Sequence, residues 1–179
     1  MDNGASSYRR YLQGDEQGLT EIIRDYKDGL ILYLTGFTGN VPEAEELAMD
    51  TFVKLGLNRP KDRGTGSFKT WLYTIARNVA VDHLRRRKRQ PLSLEDHQQV
   101  AELRTLEESY LQKEERIALY EGILGLKPEY RQILLLVYFE GLSLKEAGLV
   151  LHKSTHAAEM LISRARAALK ATLGEEFLQ

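Results

Sequence analysis

The segment WLYTIARNVAVDHLRRRKR, residues 71–89, carries the side chains of this sequence that are best suited to binding a polyanion. It begins with aromatic rings and ends in five consecutive cations. Aromatic rings stack on unpaired bases, which contributes about 1–3 kcal/mol per base. Lys and Arg neutralise phosphates whatever the base sequence. The segment is therefore typical of a surface that holds single-stranded nucleic acid.

Positive charge is concentrated around this segment. Residues 59–90 contain ten Lys and Arg against two Asp, although the formal net charge of the 179-residue chain is −1. Such a block is expected of a protein that binds nucleic acid. Cations that complement the dipole at a helix end would also explain it, so composition leaves both explanations open.

No set of residues indicates catalysis or a metal site. The chain has no Cys, which excludes disulfides and thiolate-bound zinc. His152 and His156 are four residues apart, but they span the predicted start of a helix and no pair of carboxylates completes a site. No nucleophile lies at a plausible spacing from a base. We therefore expect no enzymatic activity, no cofactor and no metal.

Composition and hydropathy place the chain among soluble globular proteins. Hydrophobic residues make up 42% and charged residues 28% of it, and its length allows one ordinary domain or two small ones. No apolar run approaches the roughly 20 residues that cross a bilayer, and the N-terminus lacks the apolar core of a signal peptide. We expect a cytoplasmic protein without membrane insertion, and a monomer when free.

The elements that position the basic segment are predicted to be helices throughout. Apolar residues recur at helical spacing over residues 15–37 and 42–57, and Gly36 and the pair Gly39 and Asn40 are expected to end the first of these helices. Ser67 is a suitable N-cap for the next helix. On that helix Trp71 shares the apolar stripe, whereas Tyr73 is expected at the surface.

A helix-turn-helix is predicted near the C-terminus. Ser143 and Glu146 form a capping box, and Ser154 caps a second helix after a brief turn. In a helix-turn-helix the start of the second helix enters the major groove of DNA, although an ordinary helical hairpin has the same pattern. The small residues Ala147 and Gly148 would let the two helices approach closely. Residues predicted to face inward from the second helix are Ala158, Leu161, Ile162, Ala165 and Leu169.

Together these units resemble a bacterial RNA polymerase sigma factor of the extracytoplasmic-function (ECF) group of the sigma-70 family. AEELAMDTFVKL, residues 44–55, resembles the helix that docks on polymerase. SFKTWLYTIARNVAVDHLRRRKR, residues 67–89, resembles the helix that melts the promoter and contacts the −10 element. GLSLKEAGLVL and SRARAAL resemble region 4, which contacts the −35 element.

The resemblance implies an all-α fold of two small helical domains joined by a linker. Region 2 would occupy residues 1–90, the linker residues 91–110 and region 4 residues 111–179. The implied partners are core RNA polymerase, through the clamp helices of its beta-prime subunit and its beta flap, and promoter DNA. An anti-sigma factor is also common in the family.

The resemblance further implies which residues contact each partner. On the docking helix, Leu47, Thr51 and Phe52 are expected to pack inward. The residues predicted to contact polymerase are Glu46, Met49, Asp50, Val53 and Lys54. The loop 58–67 resembles the family's loop that receives a flipped base. Residues predicted to contact −10 DNA are Arg59, Lys61, Arg63, Ser67, Lys69, Trp71, Tyr73, Asn78, Arg85 and Arg86. For Trp71 a position in the core is an equal alternative.

Region 4 departs from the family pattern. His152 and Lys153 stand in the turn where the family usually has Gly and a hydrophobic residue. Glu159 stands among positions where the family has cations; it repels phosphate but can accept a hydrogen bond from cytosine N4. The remaining candidates for contact with −35 DNA are Lys153, Ser154, Thr155, His156, Glu159, Met160, Ser163, Arg164 and Arg166.

Two other functions stay open on the sequence alone. An autonomous helix-turn-helix regulator would normally dimerise to match two half-sites, and residues 71–89 would have no obvious role in it. A helical adaptor that binds no DNA would leave the basic block unexplained. Because the net charge is close to zero, the isolated protein should gain little long-range attraction to DNA. Promoter binding is therefore expected to depend on polymerase.

Overall fold

The computed structural model describes residues 3–62, 66–88 and 114–174, and within these ranges it contains helices and no strand. The N-terminal half consists of α1 (Asn3–Leu12), α2 (Gln17–Thr38), α3 (Val41–Asn58) and α4 (Phe68–Arg87). The C-terminal half consists of α5 (Glu114–Leu124), α6 (Pro128–Leu134), which continues into a π-helical turn (Leu135–Phe139), α7 (Leu144–Val150) and α8 (Thr155–Leu173). The all-helical prediction is confirmed. The predicted linker 91–110 lies outside the described residues.

Polar residues predicted to begin helices do so. Ser67 Oγ accepts a hydrogen bond from the backbone N–H of Thr70 at 3.1 Å, and Ser154 Oγ accepts one from Ala157 at 3.1 Å. Each satisfies one of the backbone donors that the first turn of a helix leaves without a partner.

α2 is a long helix, and two of its glycines, Gly29 and Gly36, lie where the two halves of the molecule meet. Gly39 ends the helix with φ +67°, as predicted, but the prediction that Gly36 helps to end it is wrong because Gly36 is buried inside α2. A Cβ on Gly36 would lie 2.8 Å from Leu135 Cδ1, and one on Gly29 would lie 3.0 Å from Glu140 Oε2. Seven positions separate Gly29 from Gly36, so they share one face of α2. These glycines let the C-terminal half approach the helix closely.

The two halves are packed together and share one cluster of buried apolar side chains. α2 packs on α1, α3 and α4, while α8 packs on α5, α6 and α7. Between the halves, α4 contacts α7, and α2 contacts α6 and the π-helical turn. Tyr120 Oη donates a hydrogen bond across this boundary to the carbonyl of Leu32 at 3.1 Å, and both residues are buried. Both predicted domains therefore contribute to one continuous core here.

α1 is a helix that the sequence pattern did not predict. Ten residues are too few to show a repeating apolar stripe over several turns. Its tyrosines Tyr8 and Tyr11 are buried, and Arg10 ties it to the start of α2 through ion pairs with Asp15, at 3.1 Å, and with Glu21. Among the described ranges, no helix combines the length and the apolarity needed to cross a bilayer.

Candidate polymerase- and DNA-binding surfaces

One face of α3 is open to solvent and carries all five residues predicted to contact polymerase. Met49 is 45% and Val53 51% exposed, and the charged Glu46, Asp50 and Lys54 beside them are exposed as well. We call these five residues the docking face. The side of α3 that packs into the core carries Leu47, Thr51 and Phe52, as predicted.

An apolar groove lies beside the docking face, between α3 and the first two helices. Leu57 at its edge is 78% exposed. Large apolar side chains that stay exposed beside charged ones are typical of a surface that binds another protein. The groove is lined by Tyr11, Leu19, Ile23, Met49, Phe52, Val53, Gly56 and Leu57.

Trp71, on α4, is half-buried in a cluster of aromatic rings. Its ring centroid lies 5.2 Å from that of Tyr8 and 5.6 Å from that of Phe68. Part of its stacking surface is therefore already occupied within the protein. The structure favours a position of Trp71 in the core, although part of its ring stays exposed to solvent.

Tyr73 is fully buried, so the prediction that it lies at the surface of α4 is wrong. Its hydroxyl donates a hydrogen bond to Glu140 Oε2 at 2.6 Å, and its ring centroid lies 5.4 Å from that of Tyr33. The reason is tertiary, since the C-terminal half covers a side of α4 that the helical pattern alone leaves open. Contact between Tyr73 and DNA stays a prediction, and it requires the two halves to separate.

Two more predicted −10 residues contact the C-terminal half. Lys69 Nζ donates a hydrogen bond to the Glu140 carbonyl at 2.7 Å and lies 3.2 Å from Glu140 Oε2. Asn78 Oδ1 lies 3.2 Å from Nε2 of His152, in the turn of the helix-turn-helix. In this structure, both of these predicted −10 residues are therefore held against the half of the molecule that carries the helix-turn-helix.

Glu140 is the residue at this boundary that the sequence reasoning missed. Its side chain is 2% exposed, and burial of a carboxylate is costly unless charges and donors compensate it. Lys69 and Tyr73 supply that compensation at Oε2, whereas Oε1 has no hydrogen-bond partner among the described residues. The available signal was a single acidic residue directly after the apolar run ILLLVYF.

The basic end of α4 divides into anchored and exposed cations. Arg87 Nη1 lies 3.0 Å from both carboxylate oxygens of Glu43, and His83 Nε2 lies 2.6 Å from Oε1 of the same residue. These contacts tie the end of α4 to the start of α3. Arg85 and Arg86, the two predicted DNA contacts, are exposed.

The described part of the loop after α3 is shaped by contacts with α1. Arg59 has φ +41°, and its guanidinium lies 5.1 Å from the centroid of the Tyr11 ring. Lys61 is exposed, while Arg63 lies outside the described residues. Ser67 Oγ, also predicted to contact DNA, caps α4.

The predicted helix-turn-helix is present as α7 and α8. Glu146 N donates to Ser143 Oγ at 3.2 Å, and Ser143 N donates to Glu146 Oε2 at 2.9 Å. The backbone hydrogen bond from Ser143 is the main reason why the pKa of the Glu146 carboxyl lies below its usual value.

The close approach predicted at Gly148 is confirmed, because a Cβ there would lie 2.9 Å from the Lys153 carbonyl oxygen. His152 has φ +54°, a conformation that favours Gly. The predicted inward residues Ala158, Leu161, Ile162, Ala165 and Leu169 are all buried.

The start of α8 exposes most of the predicted −35 residues. Ser154 is exposed but its Oγ caps the helix, and Arg166 Nε donates to Tyr138 Oη at 2.8 Å, which holds this cation against the protein. His156 Nδ1 lies 3.8 Å from Glu159 Oε2. In the parts of the chain that the structure describes, no three His, Asp or Glu side chains are placed to hold a metal ion. The other exposed candidates are Lys153, Thr155, Met160, Ser163 and Arg164.

Comparison with known proteins assigns a family to this geometry. Residues 22–90 match the family model Sigma-70 region 2, and residues 116–169 match Sigma-70, region 4. The chain is 30% identical over 172 residues to the ECF RNA polymerase sigma factor SigW of Bacillus subtilis, covering 90% of this chain and 91% of that protein. The chain belongs to the ECF group of the sigma-70 family. It is an RNA polymerase sigma factor, a protein that directs transcription initiation and is not itself an enzyme.

Further relatives agree with this assignment. The RNA polymerase sigma-H factor of Pseudomonas aeruginosa is 28% identical over 174 residues, covering 92% of this sigma factor and 90% of that protein. The structure of CnrH in complex with the cytosolic domain of CnrY superposes with a TM-score of 0.66 at 22% identity, covering 96% of this chain and 94% of that one. The structure of the sigma factor RpoE in complex with the anti-sigma factor NepR from Bartonella quintana superposes with a TM-score of 0.65 at 18% identity, covering 88% of this chain and 97% of that one. These two structures share the fold of this chain.

Proposed function

We propose that this sigma factor docks on the beta-prime clamp helices of core polymerase with the docking face of α3. α4 and the loop before it then contact the −10 element and separate its DNA strands, and the start of α8 contacts the −35 element. The observation that carries the proposal is the exposure of all five docking residues while the other side of α3 is buried. Apolar and charged side chains mixed in this way suit a protein partner.

The placement of the residues supports an order of events. The docking face is open, whereas Lys69, Tyr73 and Asn78 contact the C-terminal half. Polymerase can therefore bind first, and the separation of regions 2 and 4 follows when the beta flap engages region 4. Holding both regions on one polymerase raises their effective concentration at a single promoter. Localisation in the cytoplasm, where polymerase works, belongs to the same proposal.

On the DNA side, the exposed cations Arg85 and Arg86 contact the phosphates of the opened strand. Glu159, exposed near the start of α8, accepts from a cytosine in the −35 element. Arg164, also exposed, contacts phosphate. A carboxylate among the base-contacting residues would give this sigma factor a −35 preference that differs from that of relatives with cations there.

An anti-sigma factor is a further proposed partner. RpoE from Bartonella quintana was solved with its anti-sigma factor, and the apolar groove beside the docking face offers a comparable partner a surface on this chain. Such a partner would compete with polymerase, because Met49 and Val53 belong both to the groove and to the docking face. Loss of polymerase capture when the partner is added would support the proposal, and simultaneous binding of both would contradict it.

Transcription with purified core polymerase tests the main proposal. On a supercoiled promoter library, the sigma factor should produce new start points that share upstream elements. An autonomous regulator or an adaptor would produce none. In permanganate footprints, Arg85→Ala together with Arg86→Ala should reduce thymine reactivity in the opened −10 element. Lys170→Ala, which removes an exposed cation from the other end of α8, serves as the control and should leave opening unchanged.

A further inference from the structure

α1 contacts the chain on both sides of the loop proposed to capture a flipped base. It lies before residues 22–90, which match the region 2 model. Two of its side chains, Tyr8 and Tyr11, are 4% and 9% exposed, and both bury a hydroxyl group. Burial of a hydroxyl costs free energy unless the group is hydrogen-bonded, so the partners of these two hydroxyls indicate what α1 stabilises.

Tyr11 acts where α3 ends. Its hydroxyl donates to the Gly56 carbonyl at 2.7 Å, and this carbonyl belongs to the last turn of α3, whose acceptors have no partner within the helix. The chain then turns through Arg59, whose left-handed backbone costs about 1 kcal/mol for a residue with a side chain. The guanidinium of Arg59 rests on the Tyr11 ring, 5.1 Å from its centroid, which stabilises the turn.

Tyr8 spans the loop. Its hydroxyl donates to the Pro60 carbonyl at 2.5 Å, on the side where the chain leaves α3. Its ring packs on Phe68 and Trp71, with centroid distances of 5.8 and 5.2 Å, on the side where α4 begins. Burial raises the pKa of Tyr8 to about 12, so the hydroxyl stays a donor throughout the physiological range.

We propose that Tyr8 and Tyr11 are positioning residues that hold the chain where it leaves α3, at Arg59 and Pro60, and where α4 begins, and thereby set the selectivity of this sigma factor at the −10 element. The inference rests on the proposed function, which gives the loop its role in base capture. Extrusion of a base costs a few kcal/mol, which the pocket must return. A loop whose two ends are held in place returns more of this free energy to the matching base than a loop whose ends must first be ordered.

The test removes the two hydroxyls and keeps the rings, in the double variant Tyr8→Phe and Tyr11→Phe. Two promoter libraries are transcribed with core polymerase, one randomised at −10 with a fixed −35 element and the other the reverse. Selectivity among −10 sequences should fall about threefold to tenfold, the range expected for lost hydrogen bonds, while selectivity at −35 stays the same. Tyr130→Phe, which removes a hydroxyl from α6 in region 4, is the matched control and should change neither.

Each outcome separates this inference from the proposed function. If the unaltered protein shows no preference at −10, the proposed function fails. If it shows a preference that the double variant retains, the inference is overturned and the proposed function stands. An equal fall at −10 and −35 would reveal a general structural role and would also overturn it. If circular dichroism shows the double variant unfolded, the two single variants are put through the same comparison.

Discussion

The docking face of α3 and the side of α4 proposed to contact DNA belong to one small region, yet the structure presents them differently. Met49 and Val53 are about half exposed, whereas Tyr73 is fully buried and Lys69 and Asn78 contact the C-terminal half. The surface proposed for polymerase is accessible, whereas part of the surface proposed for promoter DNA is covered. The protein can therefore find polymerase before it is able to hold a promoter.

The covering contact contains a buried polar atom that is not satisfied. Glu140 Oε1 has no hydrogen-bond partner among the described residues. Such an atom costs about 1–3 kcal/mol relative to its hydrated state. Separation of the two halves would return the Glu140 carboxylate to water, which offsets part of the free energy lost when apolar side chains are exposed. Binding to polymerase is therefore able to displace an arrangement of this kind.

The largest effect is expected where the exposed surface itself is changed. Met49→Glu should weaken binding to core polymerase about 30- to 100-fold, because it places a third carboxylate beside Glu46 and Asp50 at the centre of an interface. Titration of labelled protein with core enzyme measures it. Met160→Glu is the matched control, since Met160 is exposed to the same degree, 46% against 45%. Met160→Glu should reduce transcription from the promoter but leave binding to polymerase unchanged. If both variants lose binding to polymerase equally, the docking face is not the specific surface for polymerase.

Opening the covered surface is the second test. Gly36→Ala adds a Cβ at 2.8 Å from Leu135 Cδ1, and overpacking of this kind costs about 1–3 kcal/mol. The substitution should therefore favour the state in which regions 2 and 4 are separated. It should not weaken α2 itself, because Ala is a better helix former than Gly. Small-angle scattering should show a larger radius of gyration, and a single-stranded −10 oligonucleotide should bind the free protein several-fold more tightly.

Gly125→Ala is the control for this substitution. There the added Cβ meets only the Gly122 carbonyl oxygen, at 3.5 Å, so neither scattering nor oligonucleotide binding should change. If Gly36→Ala behaves in the same way as Gly125→Ala, the contact between the regions does not limit access to DNA.

Local patterns in the sequence predicted the elements well but not their contacts. The caps at Ser67, Ser143 and Ser154 and the inward residues of α8 depend on neighbours within one or two turns, and all were predicted. The pattern of α4 predicts a surface position for Tyr73, because nothing on that helix indicates that the distant Glu140 will cover it. The pattern of α2 predicts a helix end at Gly36, because the contact that requires a glycine there is with Leu135, far along the chain.

The third prediction measures the polar contact across the two regions. Tyr73→Phe, Glu140→Ala and the double variant form a cycle that isolates the hydrogen bond of 2.6 Å between the Tyr73 hydroxyl and the Glu140 carboxylate. A hydrogen bond to a charged acceptor contributes about 1.5 kcal/mol or somewhat more. Urea unfolding of all four proteins gives the coupling free energy. A coupling of zero would show that the regions are apart in solution, and that Tyr73 is then open to DNA.

The smallest effect is expected at the capping box of α7, whose Glu146 carboxyl also accepts hydrogen bonds from the Ser67 and Thr70 hydroxyls across the contact. The hydrogen bond from the Ser143 backbone lowers the pKa of Glu146 below its ordinary 4.5. A carboxyl whose folded pKa is depressed stabilises the protein above its unfolded pKa, and this contribution is lost as the pH falls through the folded value. Because Glu146 is only partly buried, solvent screening weakens the contribution of its charge. Glu146→Ala should lower the free energy of unfolding by about 1 kcal/mol at pH 7, mainly through the lost capping-box hydrogen bond.

The difference in the free energy of unfolding between Glu146→Ala and the unaltered protein should become steadily smaller as the pH falls below 4.5. Urea unfolding at several pH values follows it, with Glu121→Ala on the exposed side of α5 as the control, expected within about 0.5 kcal/mol of the unaltered protein. The substitution also removes the two hydrogen bonds that the Glu146 carboxyl accepts from hydroxyl groups across the contact, on α4 and its cap. The radius of gyration should therefore rise less in Glu146→Ala than in Gly36→Ala, because polar contacts are lost but no side chains clash. An expansion as large as that of Gly36→Ala would mean that these hydrogen bonds, as well as Glu140, decide whether region 4 covers the side of α4 proposed to contact DNA.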